Sequence, residues 1–533
     1  MHMSFLSLFL ATAVALAFYV TAPAQAKSCS ANEPDIACTA QGAIRGVIEG
    51  ETLTFKGIPY AKPPVGTLRW RPTEPPMRWE GIRDGSRFGA MCPQIVNKQV
   101  VGEEDCLTLN IWRPRATLTE RLPVMVWLTG GGNHGLSGQG TAGFGGLNYS
   151  GEKLAREDVV FVSFNNRLGA LGFLAHPALD AERREKVSGN YGNLDQIAML
   201  RWLRSNIAAF GGDPDRIFLF GTSAGGGSIC ALMTSPMARG LFHGAAMQSS
   251  VPTGCEIPTL ADVQARTGAR VVKALACDRA SDIADCLRGK SMTEIVSAVP
   301  ASTNVFPRIY GPNMDGHVFP DQPLKTIARR AHAAMPVIIG STTDETLGWV
   351  RAGTQIVDAA SYATEIEKVF GSASRDRILA AYPINKYPTP LEAIVRLTTD
   401  AQFTCTSRRV ARILASAQRA PVYRYLFAHQ MENDPQLKAI RANHTIEHAF
   451  LFPGRGRYQP TADDLTVKQR MITYWTRAAR DGNPNGGGNP SWPAVTRDND
   501  AFLEIGVSTT GKQGQPDANC DFWDTVMLPW PHL

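Results

Sequence analysis

Ser223 lies in Gly221-Thr222-Ser223-Ala224-Gly225, a G-x-S-x-G spacing that directly follows the apolar run 217–220. That spacing fits a nucleophile elbow, a sharp strand-to-helix turn that lifts a serine hydroxyl toward substrate. Glycines must flank such a serine because a Cβ would clash in the strained turn. The helix that follows also aims its free N–H groups at the place where an oxyanion would form. By itself the motif is equally that of a glycine-rich turn, so its surroundings have to decide. Gly130-Gly131-Gly132 comes just after the apolar stretch Leu122-Pro-Val-Met-Val-Trp-Leu128, where bare backbone can approach a ligand and donate N–H groups. Residues 138–146 continue as a glycine-rich, surface-like loop. A serine nucleophile also needs a base and an orienting acid, and with an elbow of this kind the chain order is Ser, then Asp or Glu, then His. Asp344 and Glu345 follow one apolar run, and His444 and His448 follow another. Spacing leaves both choices open.

These residues must be held by a sheet, and the pattern supplies one. Residues 122–128, 159–164, 216–220, 335–340 and 421–427 read as buried strands, each ending where a loop carries candidate chemistry. Residues 194–210 carry apolar side chains at helical spacing, and a second helix runs on from Ser223. The alternation predicts an α/β class with helices flanking the sheet. The chain has 533 residues, of which 44% are hydrophobic and 19% charged, an ordinary globular balance. No linker, charge block or repeat divides it, and the glycine-rich stretch 481–489 reads as a surface loop. One domain over 27–533 is therefore expected.

Residues 1–26 read as an export signal, with an apolar core and Ala24-Gln25-Ala26 as a small-x-small cleavage site, although no Lys or Arg precedes the core. The expected location is secreted or periplasmic, with no stable membrane anchor after cleavage. Ten cysteines agree with an oxidising compartment. No C-x-x-C and no His/Cys cluster with ligand spacing occurs, so no metal site is read. The net charge of +6 comes without a basic stripe interleaved with aromatics, which argues against nucleic acid and leaves two readings, scattered surface Arg or an anionic small substrate as a partner.

Several long motifs make the chain resemble the type-B carboxylesterase/lipase family, which includes cholinesterases and bacterial p-nitrobenzyl esterases. They are Phe55-Lys-Gly-Ile-Pro-Tyr-Ala-Lys-Pro-Pro-Val-Gly66, Glu104-Asp-Cys-Leu-Thr-Leu-Asn110 and Asn166-Arg-Leu-Gly-Ala-Leu-Gly-Phe173. Gly189-Asn-Tyr-Gly192 with Asp195-Gln196, Phe210-Gly-Gly-Asp-Pro214 and Asp315-Gly316 complete the set. The resemblance implies an α/β-hydrolase fold, a large central mostly parallel sheet flanked by helices. It also implies a serine esterase that needs no cofactor. The segment 340–345 resembles the one that carries the family's acid, which favours Glu345. His444-Thr-Ile-Glu447 resembles the one with its histidine, which favours His444. The implied oxyanion donors are Gly131, Gly132 and Ala224. The implied disulfides are Cys92–Cys106, Cys277–Cys286 and Cys405–Cys520. Cys29–Cys38 and Cys230–Cys255 are guesses without a family counterpart.

Three departures bear on specificity. Thr222 stands where the family usually has Glu, Thr129 where it has His or Tyr, and Asn133-His134 where an aromatic is common. Asn133 and His134 thereby become candidate substrate contacts. The Cys92–Cys106 loop is short and lacks the Trp that cholinesterases use to hold a quaternary ammonium, so that activity is disfavoured. The chain is also similar to secreted fumonisin esterases, which release tricarballylate, so esters of polycarboxylic acids are the expected substrates. The alternatives are a general carboxylesterase or lipase on neutral esters and, from another class, a non-catalytic binding or adhesion module.

Overall fold

Apolar residues on both faces of the strands make the central sheet. The computed structural model describes residues 33–116, 119–140, 148–250, 255–300, 309–353, 356–453, 458–514 and 519–526. The expected leader and Cys29 lie outside these described residues. Among the described residues the main sheet has 12 strands. In chain order these begin with β1 (Val47–Glu49), β2 (Thr52–Pro59), β3 (Thr108–Pro114) and β4 (Leu122–Leu128). Next come β5 (Val160–Phe164), β6 (Gly212–Thr222), β7 (Gly244–Gln248) and β8 (Val337–Thr342). The last four are β9 (Val422–Phe427), β10 (Ala494–Val495), β11 (Phe502–Ile505) and β12 (Thr510–Lys512). The spatial order is β12-β11-β9-β8-β7-β6-β4-β5-β3-β2-β1, with β10 beside β9. The run from β11 to β5 is parallel, and the outer strands are antiparallel.

All seven residues of β4 are buried, and they alternate between two cores. Val124, Val126 and Leu128 face one side with Ile197, Leu200, Ile229 and Leu232. Met125 and Trp127 face the other with Phe218, Phe220, Met471 and Trp475. A parallel strand covered by helices on both faces must be apolar without interruption, because successive side chains point to opposite sides. The covering helices are α1 (Tyr191–Asn206) and α2 (Ala224–Thr234) on the first face and, toward the C-terminus, α7 (Ala462–Asp481) on the second. Between them in sequence lie α3 (Leu347–Gly353), α4 (Pro390–Thr399), α5 (Cys405–Ala417) and α6 (His448–Leu451).

The structure corrects three expectations. The helix expected over 194–210 starts earlier and ends at Asn206, because Ile207–Phe210 tightens into a 3₁₀ turn closed by Gly211 at φ 79°. The strand before the serine runs back to Gly212, with a register shift between Gly212 and Ile217 where Pro214 interrupts pairing. The loop after the triple glycine is not surface-like at its start. Ser137, Gly138 and Gly140 are buried, and a Cβ on Gly138 would lie 2.6 Å from Phe164 N. Residues 141–147 lie outside the described residues.

The described residues hold four complete disulfides, Cys92–Cys106, Cys230–Cys255, Cys277–Cys286 and Cys405–Cys520. Cys38 is disulfide-bonded as well. Among the described residues no helix is long and apolar enough to cross a membrane.

Candidate active site

Ser223 stands between β6 and α2 with φ 53° and ψ −120°, a backbone state that non-glycine residues rarely adopt. Its N–H donates to Gln248 O at 2.9 Å, and its C=O accepts from Gly227 N, the first bond of α2. The flanking glycines are required by the end of β4. A Cβ on Gly221 would lie 2.6 Å from Leu128 O, and one on Gly225 would lie 2.1 Å from the same atom. The sequence motif is therefore a steric consequence of how closely β4 approaches the turn.

The glycine loop lies directly alongside. Gly131, Gly132 and Asn133 all have positive φ, at 78°, 61° and 63°. The Gly131 carbonyl accepts from His134 N and Gly135 N at 3.1 and 3.2 Å, so the N–H of Gly132, across the same peptide, points the opposite way. Gln94 clamps the loop further on, accepting from Leu136 N at 2.8 Å and donating to Leu136 O at 3.1 Å. Asn133 is buried, and its side-chain amide donates to Tyr310 O at 3.3 Å. The His134 ring folds back, with Nδ1 3.2 Å from Gly132 O. Ala224, the residue after Ser223, begins α2.

Glu345 and His444 are brought together. Glu345 is fully buried just beyond β8, and its Oε1 accepts from Thr342 N at 2.8 Å. Its Oε2 is 2.5 Å from His444 Nδ1. A carboxylate only accepts, so Nδ1 is the donor of this bond and Nε2 is the nitrogen that it leaves unengaged. The two loops are also tied through their backbones. Asp344 N donates to Ala442 O, His444 N to Glu345 O, and Gly348 N to the Asn443 side chain. The neighbours that sequence left open fall elsewhere. Asp344 turns to Arg441, and His448 is buried against Trp127, Tyr149 and Phe452. Burial, reinforced by nearby His444, pushes the His448 imidazole down to about 3, so this ring is a neutral packing residue.

A second carboxyl lies behind the first. Glu447 is fully buried, and its Oε1 accepts from Tyr425 OH at 2.8 Å, Gln248 Nε2 at 3.3 Å and Ser249 Oγ at 3.5 Å. Burial, then the charge of Glu345, pushes it up to about 8 against those three bonds. Gln248 thus touches both halves of the site, holding Ser223 through its carbonyl and Glu447 through its amide. Gln248, Tyr425 and Glu447 were not singled out from sequence, although Glu447 closes the His444 motif. The long motifs have mostly structural work. Arg167 and Asp195 form a buried ion pair at 2.7 Å that locks the loop after β5 to α1, and Glu104 pairs with Arg69.

With this geometry described, comparison with known proteins is direct. The carboxylesterase family profile matches residues 33–523. The chain is 34% identical over 511 residues to the fumonisin B1 esterase of Sphingopyxis macrogoltabida, covering 91% of this chain and 89% of that protein. It is 33% identical over 480 residues to the para-nitrobenzyl esterase of Bacillus subtilis (strain 168), covering 86% of this chain and 92% of that one. A solved PNB esterase superposes with a TM-score of 0.79 at 30% identity, over 92% of this chain and 100% of its own. The chain belongs to the carboxylesterase family and has the α/β-hydrolase fold. It is a carboxylic-ester hydrolase acting on small-molecule esters.

Proposed function

We propose that hydrolysis proceeds through an acyl-enzyme on Ser223. His444 Nε2 takes the serine proton as Oγ attacks the ester carbonyl, and Glu345 orients the imidazole and stabilises its charged form. The N–H groups of Gly131, Gly132 and Ala224 bind the oxyanion. His444 then protonates the leaving alcohol, and water repeats the sequence on the acyl group. The observations that carry this reading are the short Glu345–His444 bond and a serine held at positive φ on a glycine-flanked turn. In the same reading the chain is one catalytic domain over 27–533, exported with its leader removed after Ala26. Ester hydrolysis, with the acid, base and nucleophile positions all filled, leaves the binding module unsupported.

The proposed substrates are esters of polycarboxylic acids. The similarity to a fumonisin B1 esterase and the net charge of +6 support this. The test is kcat/KM for matched esters of one alcohol, neutral (acetate, butyrate) against anionic (glutarate, tricarballylate), at low and high salt. Preference for the anionic set that fades with salt is the expected result. Preference for the neutral set would leave a general carboxylesterase or lipase. The Ser223→Ala variant should fold and turn over neither set, and near-wild-type turnover by it would remove the acyl-enzyme on Ser223.

A further inference from the structure

The helix from α4 to α5 is continuous except for one widened turn. Residues Asp400–Thr404 form a π-helical segment between them. Such turns cost backbone geometry and recur where a helix must re-aim a side chain at a functional site. Here the segment is fastened on both sides. Asp400 is fully buried and accepts from Tyr382 OH at 2.9 Å and from Arg396 Nε at 3.0 Å. Thr404 Oγ1 lies 3.2 Å from Ser341 Oγ on β8. Thr346, next to Glu345, bonds Thr398 Oγ1 at 2.7 Å and Val395 O at 3.2 Å in the last turns of α4. The widened turn and the acid-bearing loop are thus one hydrogen-bonded unit.

The residue presented by that turn is Phe403. Its ring centroid is 5.3 Å from that of His444, with the planes inclined at 52°. Trp349 on α3 sits 4.8 Å from the same imidazole and stacks on Phe403 at 6.3 Å and 14°. The two aromatic residues differ in exposure. Trp349 is half-buried, whereas Phe403 has no accessible surface, so Phe403 meets the imidazole from the interior.

We infer that Phe403 is a positioning residue for His444, set by the π turn to hold the imidazole in the plane of its bond to Glu345 and to stabilise its charged form through the ring face. The proposed reaction places a positive charge on the His444 imidazole, and a desolvated aromatic face favours a cation over the neutral ring. The titratable groups around His444 are Glu345 on Nδ1 and, from its own loop, the buried His448 and Glu447. None of them fixes the ring's rotation on the side that Phe403 covers.

This inference rests on His444 being the general base, and the experiment separates the two. Phe403→Leu keeps an apolar side chain and removes the π face. Phe403→Met does the same with a flexible filler, in case Leu disturbs folding. The expected result is a fall in kcat of about 2- to 30-fold that is uniform across esters of unlike acyl and alcohol size. KM should stay within about twofold, and the acid limb of the kcat profile should move down by about half a pH unit. Unchanged kcat and an unmoved limb would overturn the inference. So would a change in KM that follows acyl size, which would make Phe403 a pocket wall. A His444→Gln variant with near-wild-type kcat would instead remove the general base itself. A dead His444→Gln variant beside an unaffected Phe403→Leu would remove only the positioning role.

Discussion

A proton on Glu447 is coupled to folding. Burial and the nearby Glu345 charge push this carboxyl up to about 8 in the folded protein, whereas an unfolded glutamate titrates near about 4.3. The folded state therefore keeps a proton that the unfolded state releases across that window. The associated stability is fully present below about pH 4 and is lost as pH rises toward 8. Glu447→Gln imitates the protonated carboxyl and cannot titrate. Thermal unfolding of the variant should therefore be less sensitive to pH between about 5 and 8 than that of the wild type. Parallel Tm–pH curves for the two proteins would mean that Glu447 is not protonated in this range. Such a group is nearly illegible in sequence. His444 and His448 have equivalent local patterns, as do Asp344 and Glu345, and what separates them is tertiary. One histidine meets a carboxylate at 2.5 Å, while the other is enclosed by Trp127, Tyr149 and Phe452. Only resemblance to a family could choose between them beforehand.

At the scale of elements, five of the seven parallel strands were legible because burial on both faces forces an unbroken apolar run, as in Val-Met-Val-Trp within β4. By contrast, β7 (Gly-Ala-Ala-Met-Gln) and the four-residue β11 were missed because small or few side chains leave no such run. The outer strands β2 and β3 were harder to read. They only overlap the motifs that begin at Phe55 and Glu104, and those residues alternate too briefly to set a period. The π turn at Asp400–Thr404 leaves no local mark, since Leu-Thr-Thr-Asp-Ala-Gln-Phe-Thr would serve any helix and only tertiary bonds widen it. The elbow lies at the opposite extreme, because a steric limit is written directly as glycine. Gly225→Ala would place a methyl group 2.1 Å from Leu128 O, a backbone atom that cannot swing aside. Shifting β4 away from the turn should cost at least about 1–3 kcal/mol and displace Ser223 with it. A lowered denaturation midpoint together with a loss of kcat is expected. Gly226→Ala is the control, since its added carbon would meet its nearest neighbour, Gly221 O, at 3.2 Å and needs only a small adjustment. Equal midpoints for the two variants would show that the close approach at Gly225 is not limiting.

At the scale of the whole molecule, the disulfides join stretches that the sheet alone leaves distant in sequence. Cys405–Cys520 spans 115 residues and fastens α5, just past the π turn, to the C-terminal region. Cys230–Cys255 spans 25 residues and ties α2, the helix behind Ser223, to the chain beyond β7, whose end holds the serine N–H. Both cystines are buried, so each acts mainly by restricting the unfolded chain. Loop-closure entropy then assigns about 5 kcal/mol to the longer link and about 3.5 kcal/mol to the shorter. The double variant Cys405→Ser/Cys520→Ser should accordingly lower the denaturant midpoint more than Cys230→Ser/Cys255→Ser does. Activity should follow a different order. The shorter link braces the nucleophile's own helix, so its loss should reduce kcat in the still-folded protein, whereas loss of the longer link acts on stability first. If removing Cys230–Cys255 shifts only the midpoint and leaves kcat intact, α2 is held by the packing of Ile229 and Leu232 against the sheet, and the disulfide is a staple with no part in presenting Ser223.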